Sequence, residues 1–363
     1  MSSAAGEFCP GTASLSDPDL ETLAGLFQQW GFDPTHAPAV LRRWYRGEEL
    51  SGPPSRRLPE ALREQLAVAF SGDGCTAVRR QCSADGTTKL LLRMADGRAV
   101  ESVLMPGYRP DRAAGCISSQ VGCAMACDFC ATTRTGFERN LTAGEIVEQF
   151  LALRREASRA GRRLQTLVFM GMGEPMLNLE AVLSAARRIA DPALGGLGGR
   201  QVTVSTVGIV PGIDTLTASG CNVQLAVSLH APDDATRARL IPAGRRFPIS
   251  EILAALDRFM KRWGRPVTIQ YCLLSGVNDS PAQAHALADV LGVRAVHVNL
   301  LRYNSTGPGL TGTQYAASSE ETSEAFRRIL ASRGVVAHFR RSRGPDIDAA
   351  CGQLRARTAL VPA

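Results

Sequence analysis

The stretch RAAGCISSQVGCAMACDFC, residues 112–130, joins a short β-prone run to a loop that carries closely spaced cysteines. From here to about residue 340, strand-like runs alternate with helix-like segments. Parallel strands need such a helical crossover, whereas antiparallel strands can be joined by a short turn. The alternation therefore predicts an α/β fold built on a parallel sheet, either open or closed into a barrel. In both forms the active site lies at the carboxyl ends of the strands.

Local signals mark where the predicted strands and helices begin and end. A capping box formed by Thr142 and Glu145 opens the first core helix. Ser280 followed by Pro281 opens another, and a third runs from about Ser319 to Arg333 and stops at Gly334. The predicted strands lie near Cys116 and at residues 167–170, 202–206, 223–228, 267–273, 296–300 and 335–339. We expect the functional residues in the loops that follow these strands.

Composition indicates an ordinary globular protein with a basic surface. Hydrophobic residues make up 45% and charged residues 21%, and no apolar run approaches the roughly 18 residues of a membrane span. The N-terminus has no basic and apolar signal pattern, so we expect a cytoplasmic protein without a membrane partner. The net charge of +7 suits RNA or DNA as partner, but a merely soluble basic protein explains the charge equally well.

The sequence before residue 109 has a different character. Apolar residues recur at helical spacing between residues 19 and 44 and again between 58 and 70. Residues 75–105 alternate β-prone runs with Asp-Gly turns, which is typical of hairpins. We predict a helical accessory domain that binds RNA (1–74), a β-hairpin connector (75–108), the core (109–345) and a C-terminal tail (346–363). A basic face, or an ordinary solvated helix surface, is formed by Arg42, Arg43, Arg46, Arg56 and Arg57.

The ten cysteines fall into two groups. A disulfide framework is not expected in a cytoplasmic chain, and free cysteine behaves as a small buried hydrophobe. We predict such packing roles for the scattered thiols Cys9, Cys75, Cys82, Cys221 and Cys272. The other thiols are Cys116, Cys123, Cys127, Cys130 and Cys351.

Cys123, Cys127 and Cys130 form a CxxxCxxC array after the first predicted core strand. Thiolates at this spacing can converge on one soft metal centre. A four-iron cluster normally takes four cysteines, so three would leave one iron open to a small molecule. A closed structural zinc site is the alternative, with Cys116 as its fourth ligand.

Polar residues end several of the other predicted strands. Gly171-Met-Gly-Glu174-Pro175 follows the run TLVFM, where a carboxylate can pair with a substrate ammonium and glycines allow close backbone approach. Simple turn chemistry is the alternative for any one of these loops. Because such residues recur in order at the ends of successive predicted strands, we predict that together they bind a cofactor. The residues are Gly173, Glu174, Ser205, Ser228, Leu229, His230 and Asn304.

Cys116 and Cys351 decide the subfamily. Together with GFERNLTAGEIVEQ (136–149), VSTVGIVPGI (204–213), SLHAPDDATRARLIP (228–242) and GVNDSPAQAHALADVL (276–291), the segments around these thiols resemble the RlmN/Cfr family of radical S-adenosylmethionine (SAM) RNA adenosine methyltransferases. The resemblance covers about residues 85–355. It implies a partial (β/α)6-type radical SAM barrel, a [4Fe–4S] cluster on the three array cysteines, and an aromatic shield for that cluster in Phe129.

The resemblance also implies a chemistry for the two extra thiols. C2 of adenine is electron-poor, so a methyl cation cannot be transferred to it, whereas a carbon radical can add. One SAM first methylates Cys351, and a second yields the radical that activates this methyl group, giving two SAM per turnover. Attack by Cys116 then releases the product and leaves a disulfide for later reduction. Glu101 matches the family's proton acceptor, although it lies two residues further from Cys116 than in relatives. A surface glutamate is the alternative.

By the same resemblance, the substrate is an adenosine of 23S ribosomal RNA, with transfer RNA as a second candidate. An electron donor such as flavodoxin and a monomeric state are expected. Methylation at C8 is the alternative within the family, and methylthiolation or a non-catalytic iron–sulfur RNA-binding protein are alternatives outside it. The segment 303–309, YNSTGPG, departs from the family pattern near the cofactor. Phosphates that flank the target base are expected to contact Arg340, Arg341 and Arg343.

Overall fold

The computed structural model describes residues 13–50, 58–70 and 74–355. Its centre is one sheet of ten strands in the order β1-β2-β3-β4-β7-β8-β9-β10-β11-β12. The strands are β1 Cys75–Cys82, β2 Thr88–Met94, β3 Ala99–Pro106, β4 Arg112–Cys116, β5 Gln120–Gly122, β6 Phe137–Asn140, β7 Arg163–Phe169, β8 Val202–Thr206, β9 Gln224–Ser228, β10 Val267–Leu273, β11 Val296–Arg302 and β12 Val336–Phe339.

From β4 onward the sheet is parallel, and a helical connection precedes each following strand. β1 and β12 lie at opposite edges, so the sheet is open rather than a closed barrel. The predicted α/β class and the predicted core strands are confirmed. Helices of the core are α4 Ala143–Arg159, α5 Leu179–Ala190, α6 Val210–Ala218, α7 Asp234–Leu240, α8 Ile249–Trp263, α9 Pro281–Leu291 and α10 Glu320–Ser332. The predicted caps at Thr142, Ser280 and Ser319 are present.

The hairpin segment is part of the main sheet and not only a connector. β1, β2 and β3 form an antiparallel extension, with the two predicted Asp-Gly turns between them. β3 in turn pairs antiparallel with β4, and Val103 lies opposite Cys116. Gly115 pairs with Leu104 in this register, and on its other side a Cβ would lie 2.9 Å from a methyl carbon of Leu167 on β7. The extension therefore brings β2 and β3 next to the first core thiol.

The N-terminal helices α1 Leu20–Gln29, α2 Ala37–Arg46 and α3 Glu60–Ala69 pack around a hydrophobic cluster of their own. This module contacts the core through Ser14 and Ser16, whose hydroxyls both donate to the buried Glu148 carboxylate on α4. The predicted basic face is only partly present, since Arg43 is buried and donates to the Leu50 carbonyl. Arg56 and Arg57 lie outside the described residues, and the boundary at residue 74 stays a prediction.

Two features depart from the sequence predictions. β5 and β6 form a separate two-stranded sheet around the cysteine array, which the sequence did not indicate. Among the scattered thiols, Cys221 is buried in the core as predicted, but Cys82 is exposed and Cys272 lines a cavity described below. Cys9 lies outside the described residues. Of the helices that the structure describes, none is long and apolar enough to cross a membrane.

Candidate active site

A large open cavity lies at the carboxyl ends of the parallel strands and encloses about 1030 Å³ not filled by protein atoms. Loops that follow β5, β7, β8, β9 and β11 contribute to its wall, together with Gln270 and Cys272 of β10, as expected for an α/β fold. The C-terminal tail closes one side of it. Predicted site residues that line it are Cys123, Cys127, Cys130, Gly173, Glu174, Ser205, Ser228, His230, Asn304 and Cys351.

The three array thiols line this cavity together. Their loop is anchored by the Cys123 amide, which donates to the Gly136 carbonyl at 2.9 Å, and by the Asp128 amide, which donates to Leu240. Within the described residues, no three His, Cys, Asp or Glu side chains are close enough to hold one metal ion. Cys116 lies in a neighbouring cavity, so the zinc alternative loses its fourth ligand. Thiols spread around a wide cavity suit a cluster, whose cysteines bind separate irons.

Burial governs the protonation of the array thiols. Burial is the main cause that raises the pKa of all three thiols, and nearby thiols add to it. Without a positive centre these groups would therefore be neutral, and binding iron would release their protons. The residues thus fit a [4Fe–4S] cluster held by three cysteines that line the cavity.

Glu174 provides a buried acid in the same cavity. Its two carboxylate oxygens accept hydrogen bonds from the backbone amides of Met176 (3.0 Å) and Val207 (2.8 Å), and it is only 2% exposed. Burial raises its pKa to about 7. The hydrogen bonds and ion pairs described for this carboxylate include no cationic side chain. A ligand ammonium would supply the missing positive charge and lower this pKa.

Gly173 is required beside this acid for a steric reason. Its φ of +98° is in the left-handed region, and a Cβ would lie 2.6 Å from the Gln120 side chain. A side chain at this position would therefore force apart β5 and the loop that follows β7. The predicted close backbone approach is present.

His230 is a neutral histidine with a fixed tautomer. Its Nδ1 accepts the Cys272 amide at 2.9 Å, so the ring hydrogen is on Nε2. Burial lowers its pKa to about 3, and its ring packs edge-on against Phe129 with centroids 5.1 Å apart. Leu229 differs from its neighbours, because its side chain lies in the hydrophobic core. Only its backbone could contribute to a bound cofactor.

The tail brings Cys351 into the large cavity. The loop that follows the cysteine array holds the residues after this thiol: the Ala131 amide donates to the Gly352 carbonyl at 2.7 Å, and the Thr132 hydroxyl donates to the Leu354 carbonyl at 2.6 Å. Cys351 itself is exposed. The sequence distance between the array and the tail is therefore bridged by direct backbone contacts.

Cys116 faces a smaller adjoining cavity of about 450 Å³, which Cys351 also lines. Asn304 and Arg340 line both cavities. Burial is the main cause that raises the pKa of the Cys116 thiol to about 12, with the Arg340 guanidinium acting in the opposite direction. Cys351 thus lies between the array on one side and Cys116 on the other.

Glu101 is the predicted residue that the structure does not bring to either thiol. It is 5% exposed, which excludes the surface alternative, but it lines a third cavity with Lys89, Asp348 and Arg355. Its Oε1 forms an ion pair with Lys89 at 3.0 Å, and its Oε2 accepts the Arg355 amide at 2.7 Å. Burial raises its pKa and Lys89 acts in the opposite direction. In this conformation each oxygen therefore already has one partner.

One cavity residue was missed from the sequence. Gln270 on β10 is buried and lines the large cavity, and its Oε1 has no hydrogen-bond partner among the described residues. A buried polar atom without a partner is costly and marks a contact for a ligand. The available signal was one amide within the otherwise apolar strand run VTIQYCL, residues 267–273.

Comparison with known proteins agrees with this geometry. Residues 117–288 match the radical SAM superfamily. A crystal structure of a radical SAM methyltransferase from Sphaerobacter thermophilus superimposes with a TM-score of 0.88 at 43% identity, covering 95% of this chain and 99% of that one. The class is therefore a radical SAM protein of the methyltransferase type, and this superfamily uses a [4Fe–4S] cluster and SAM.

Curated relatives narrow the class further. A probable dual-specificity RNA methyltransferase RlmN 1 from Opitutus terrae is 65% identical over 95% of this chain and 97% of its own length. A probable RlmN from Thermobifida fusca is 42% identical over 96% of both chains. The chain belongs to the RlmN/Cfr family of radical SAM RNA methyltransferases.

Proposed function

We propose that this protein methylates C2 of an adenosine in 23S ribosomal RNA, with transfer RNA as a second substrate, and that Cys351 carries the methyl group. The observation that carries the proposal is the location of Cys351, since this tail thiol lines the same cavity as the cysteine array and Glu174. A radical SAM enzyme that acted only through its cluster and SAM would not need this thiol.

Cys123, Cys127 and Cys130 would hold the cluster, and the Glu174 carboxylate would bind the SAM ammonium. Ser205, Ser228, His230 and Asn304 line the space left for the nucleoside and carboxylate of SAM. A reduced cluster with bound SAM supplies a 5′-deoxyadenosyl radical, which removes a hydrogen atom from a nearby carbon. In this chain the carbon within the same cavity is the methyl group that Cys351 takes from a first SAM.

The role of Cys116 follows from how the methyl carrier must be released. When the Cys351 methylene group has added to C2, the base remains bound to the protein through a carbon–sulfur bond. The C2 proton would leave to a base, and one electron would return to the oxidised cluster. Attack of the Cys116 sulfur on the Cys351 sulfur would then form a disulfide and break the carbon–sulfur bond, while the thiol proton of Cys116 completes the methyl group. The shared small cavity supports this pairing. A disulfide reductant and an electron donor of the flavodoxin type would then restore the thiols and the cluster.

Substrate RNA would approach over the side that carries Arg340, Arg341 and Arg343. These arginines line the small cavity beside the two thiols, and basic side chains there can bind the phosphates around a target base. The base must be extruded from its stack, or belong to an open loop, to reach Cys351. A monomer that acts in the cytoplasm is sufficient for this reaction.

Nucleoside analysis tests the proposal directly. RNA from cells with and without the protein is digested and separated by chromatography with mass detection. We expect 2-methyladenosine only when the protein is present, in ribosomal RNA and in transfer RNA. Appearance of 8-methyladenosine instead would favour the alternative regiochemistry. Absence of any methylated adenosine after anaerobic cluster reconstitution, reduction and addition of SAM would contradict the proposal.

A further inference from the structure

The buried ion pair between Lys89 and Glu101 contacts both ends of the Cys351 segment, residues 348–355. Lys89 Nζ donates to the Asp348 carbonyl at 3.1 Å, on the N-terminal side of the thiol. Glu101 Oε2 accepts the Arg355 amide at 2.7 Å, on its C-terminal side. The two side chains are themselves joined at 3.0 Å and are each 7% exposed. One ion pair therefore spans the segment that carries the thiol.

The backbone of this segment needs such support. Asp348 has a φ of +52°, in the left-handed region that non-glycine residues rarely adopt. Its carbonyl is the group that Lys89 holds. A buried ion pair is also costly to break, because one partner would remain as an uncompensated charge. Strands β2 and β3 carry the pair on adjacent backbones, with Leu91 opposite Glu101.

We infer that Lys89 and Glu101 are positioning residues that hold the Cys351 segment against β3, so that the Cys351 sulfur stays between the cysteine array and Cys116. This inference rests on the proposed function of Cys351 as methyl carrier. It gives the antiparallel extension a function: β2 and β3 fix the methyl carrier, while the parallel strands bind the cofactor.

Contacts on the other side of the segment do not replace the pair. Thr132 and Ala131 bind Leu354 and Gly352, and the Gln353 side chain donates to the Ser305 carbonyl at 3.0 Å. All of these hold residues that follow Cys351. Among the described contacts, the Lys89 ammonium fastens the preceding residue Asp348 to the sheet. Its loss would leave that end held only two residues earlier, where the Asp346 carboxylate accepts hydrogen bonds from the Ser83 hydroxyl and the Ala84 amide.

The test uses the full-length protein and the variants Lys89→Met and Glu101→Gln. Arg80→Met serves as the matched control, because Arg80 on β1 forms an ion pair with Glu156 at 2.6 Å and makes no described contact with the segment. One readout is the rate at which cluster-free protein forms a Cys116–Cys351 disulfide under mild oxidation with diamide. Another is the amount of methylated RNA per 5′-deoxyadenosine in reconstituted enzyme.

We expect both variants to slow disulfide formation and to lower methyl transfer per cleaved SAM by about tenfold or more, because misplacement by about 1 Å is enough to cost this much. SAM cleavage and iron content should stay near wild type, and Arg80→Met should match wild type throughout. The double variant should show the same loss of methyl transfer as either single variant, because each of the three variants removes the same ion pair.

A second pair of variants avoids the buried core. Arg355→Pro removes the amide that Glu101 accepts, whereas Arg355→Ala keeps it and removes only the side chain. The inference predicts a defect for the proline variant and none of comparable size for the alanine variant. The inference is overturned if Lys89→Met and Arg355→Pro both match wild type while Glu101→Gln accumulates a covalent protein–RNA adduct. That combination of results is the one expected if Glu101 acted only as a proton acceptor. Failure of the proposed function is distinct, because wild-type enzyme would then yield no methylated adenosine whatever the disulfide rates.

Discussion

The two sides of the large cavity are built in different ways. On the cofactor side, Glu174, Ser228 and Asn304 lie at or just after the carboxyl ends of parallel strands, and the cysteine array follows β5 of the small two-stranded sheet. On the tail side, Cys351 belongs to a segment without regular secondary structure, held by hydrogen bonds from β2, β3 and the loop after the cysteine array. Strand pairing therefore fixes most residues on the cofactor side, whereas only a few hydrogen bonds fix the segment on the tail side.

This difference suits the division of labour that we propose. A cluster and a sulfonium cofactor need a fixed, dry site, whereas a methyl carrier must face first the cofactor, then the base, then Cys116. Segments held by a few polar contacts open more easily than strands in the middle of a sheet. Changes on the cofactor side should therefore abolish radical chemistry altogether, and changes on the tail side should separate SAM cleavage from methyl transfer.

The largest effect is expected from Cys127→Ala, which removes a cluster ligand on the cofactor side. Two remaining cysteines cannot hold a four-iron cluster firmly. We expect loss of most bound iron and a fall of 5′-deoxyadenosine formation to the background rate, measured by iron analysis and chromatography. Disulfide formation between Cys116 and Cys351 should continue in this variant, and its loss would contradict the independence of the two sides.

Cys351→Ala should abolish methyl transfer and leave SAM cleavage on the cofactor side intact. Methylated RNA should fall by about three orders of magnitude or more, as when an essential covalent carrier is removed, while SAM is still cleaved to 5′-deoxyadenosine. The control is Cys272→Ala, another thiol that lines the same cavity but has no assigned step. A Cys351→Ala enzyme that still methylates RNA at the wild-type rate would favour methylthiolation-like or other chemistry.

Glu174→Gln should weaken SAM binding while the tail side stays intact. A hydrogen bond to a charged group contributes about 1.5–3 kcal/mol, so we expect a 10- to 100-fold rise in Kd for SAM. Because the pKa of Glu174 is raised to about 7, the carboxylate is lost as the pH falls through that value. SAM affinity of the wild type should therefore decrease from pH 7.5 to pH 6, with a much flatter response in the variant. Calorimetric titration at several pH values checks both expectations.

Smaller effects are expected on the RNA side of the tail. Replacing Arg341 and Arg343 by Gln should raise KM for RNA about 3- to 10-fold and lower the dependence of binding on salt, because fewer counterions are released. Arg328→Gln, on the exposed outer face of α10, is the control. Equal effects of the two changes would show that general charge, rather than these arginines, attracts RNA.

Much of this arrangement could be predicted from the sequence. Strand positions and helix caps follow from local patterns, and the strand-end residues follow from the rule that parallel strands present their carboxyl ends at one edge. The resemblance to the RlmN/Cfr family also predicts that Cys116 and Cys351 act in one reaction. The short sheet of β5 and β6 and the pairing of β3 with β4 were not predicted, because each depends on contacts between distant segments.

The partners of Glu101 could not be predicted from the sequence. Its motif indicated an acid near the thiols, yet the partner that defines its role, Lys89, lies on another strand of the extension. Gln270 was missed for a similar reason, since one polar residue in an apolar run gains meaning only when its side chain is seen to face a cavity. Such roles depend on tertiary contacts that no local pattern carries.

The most direct test of Cys351 as methyl carrier follows the hydrogen atoms of the transferred group. Reconstituted enzyme is supplied with SAM that carries a trideuterated methyl group, and products are examined by mass spectrometry. We predict 2-methyladenosine with two deuterium atoms and 5′-deoxyadenosine with one, because the thiol-bound methyl group gives up one hydrogen before it joins the base. Methyladenosine that retains all three deuterium atoms would contradict the account.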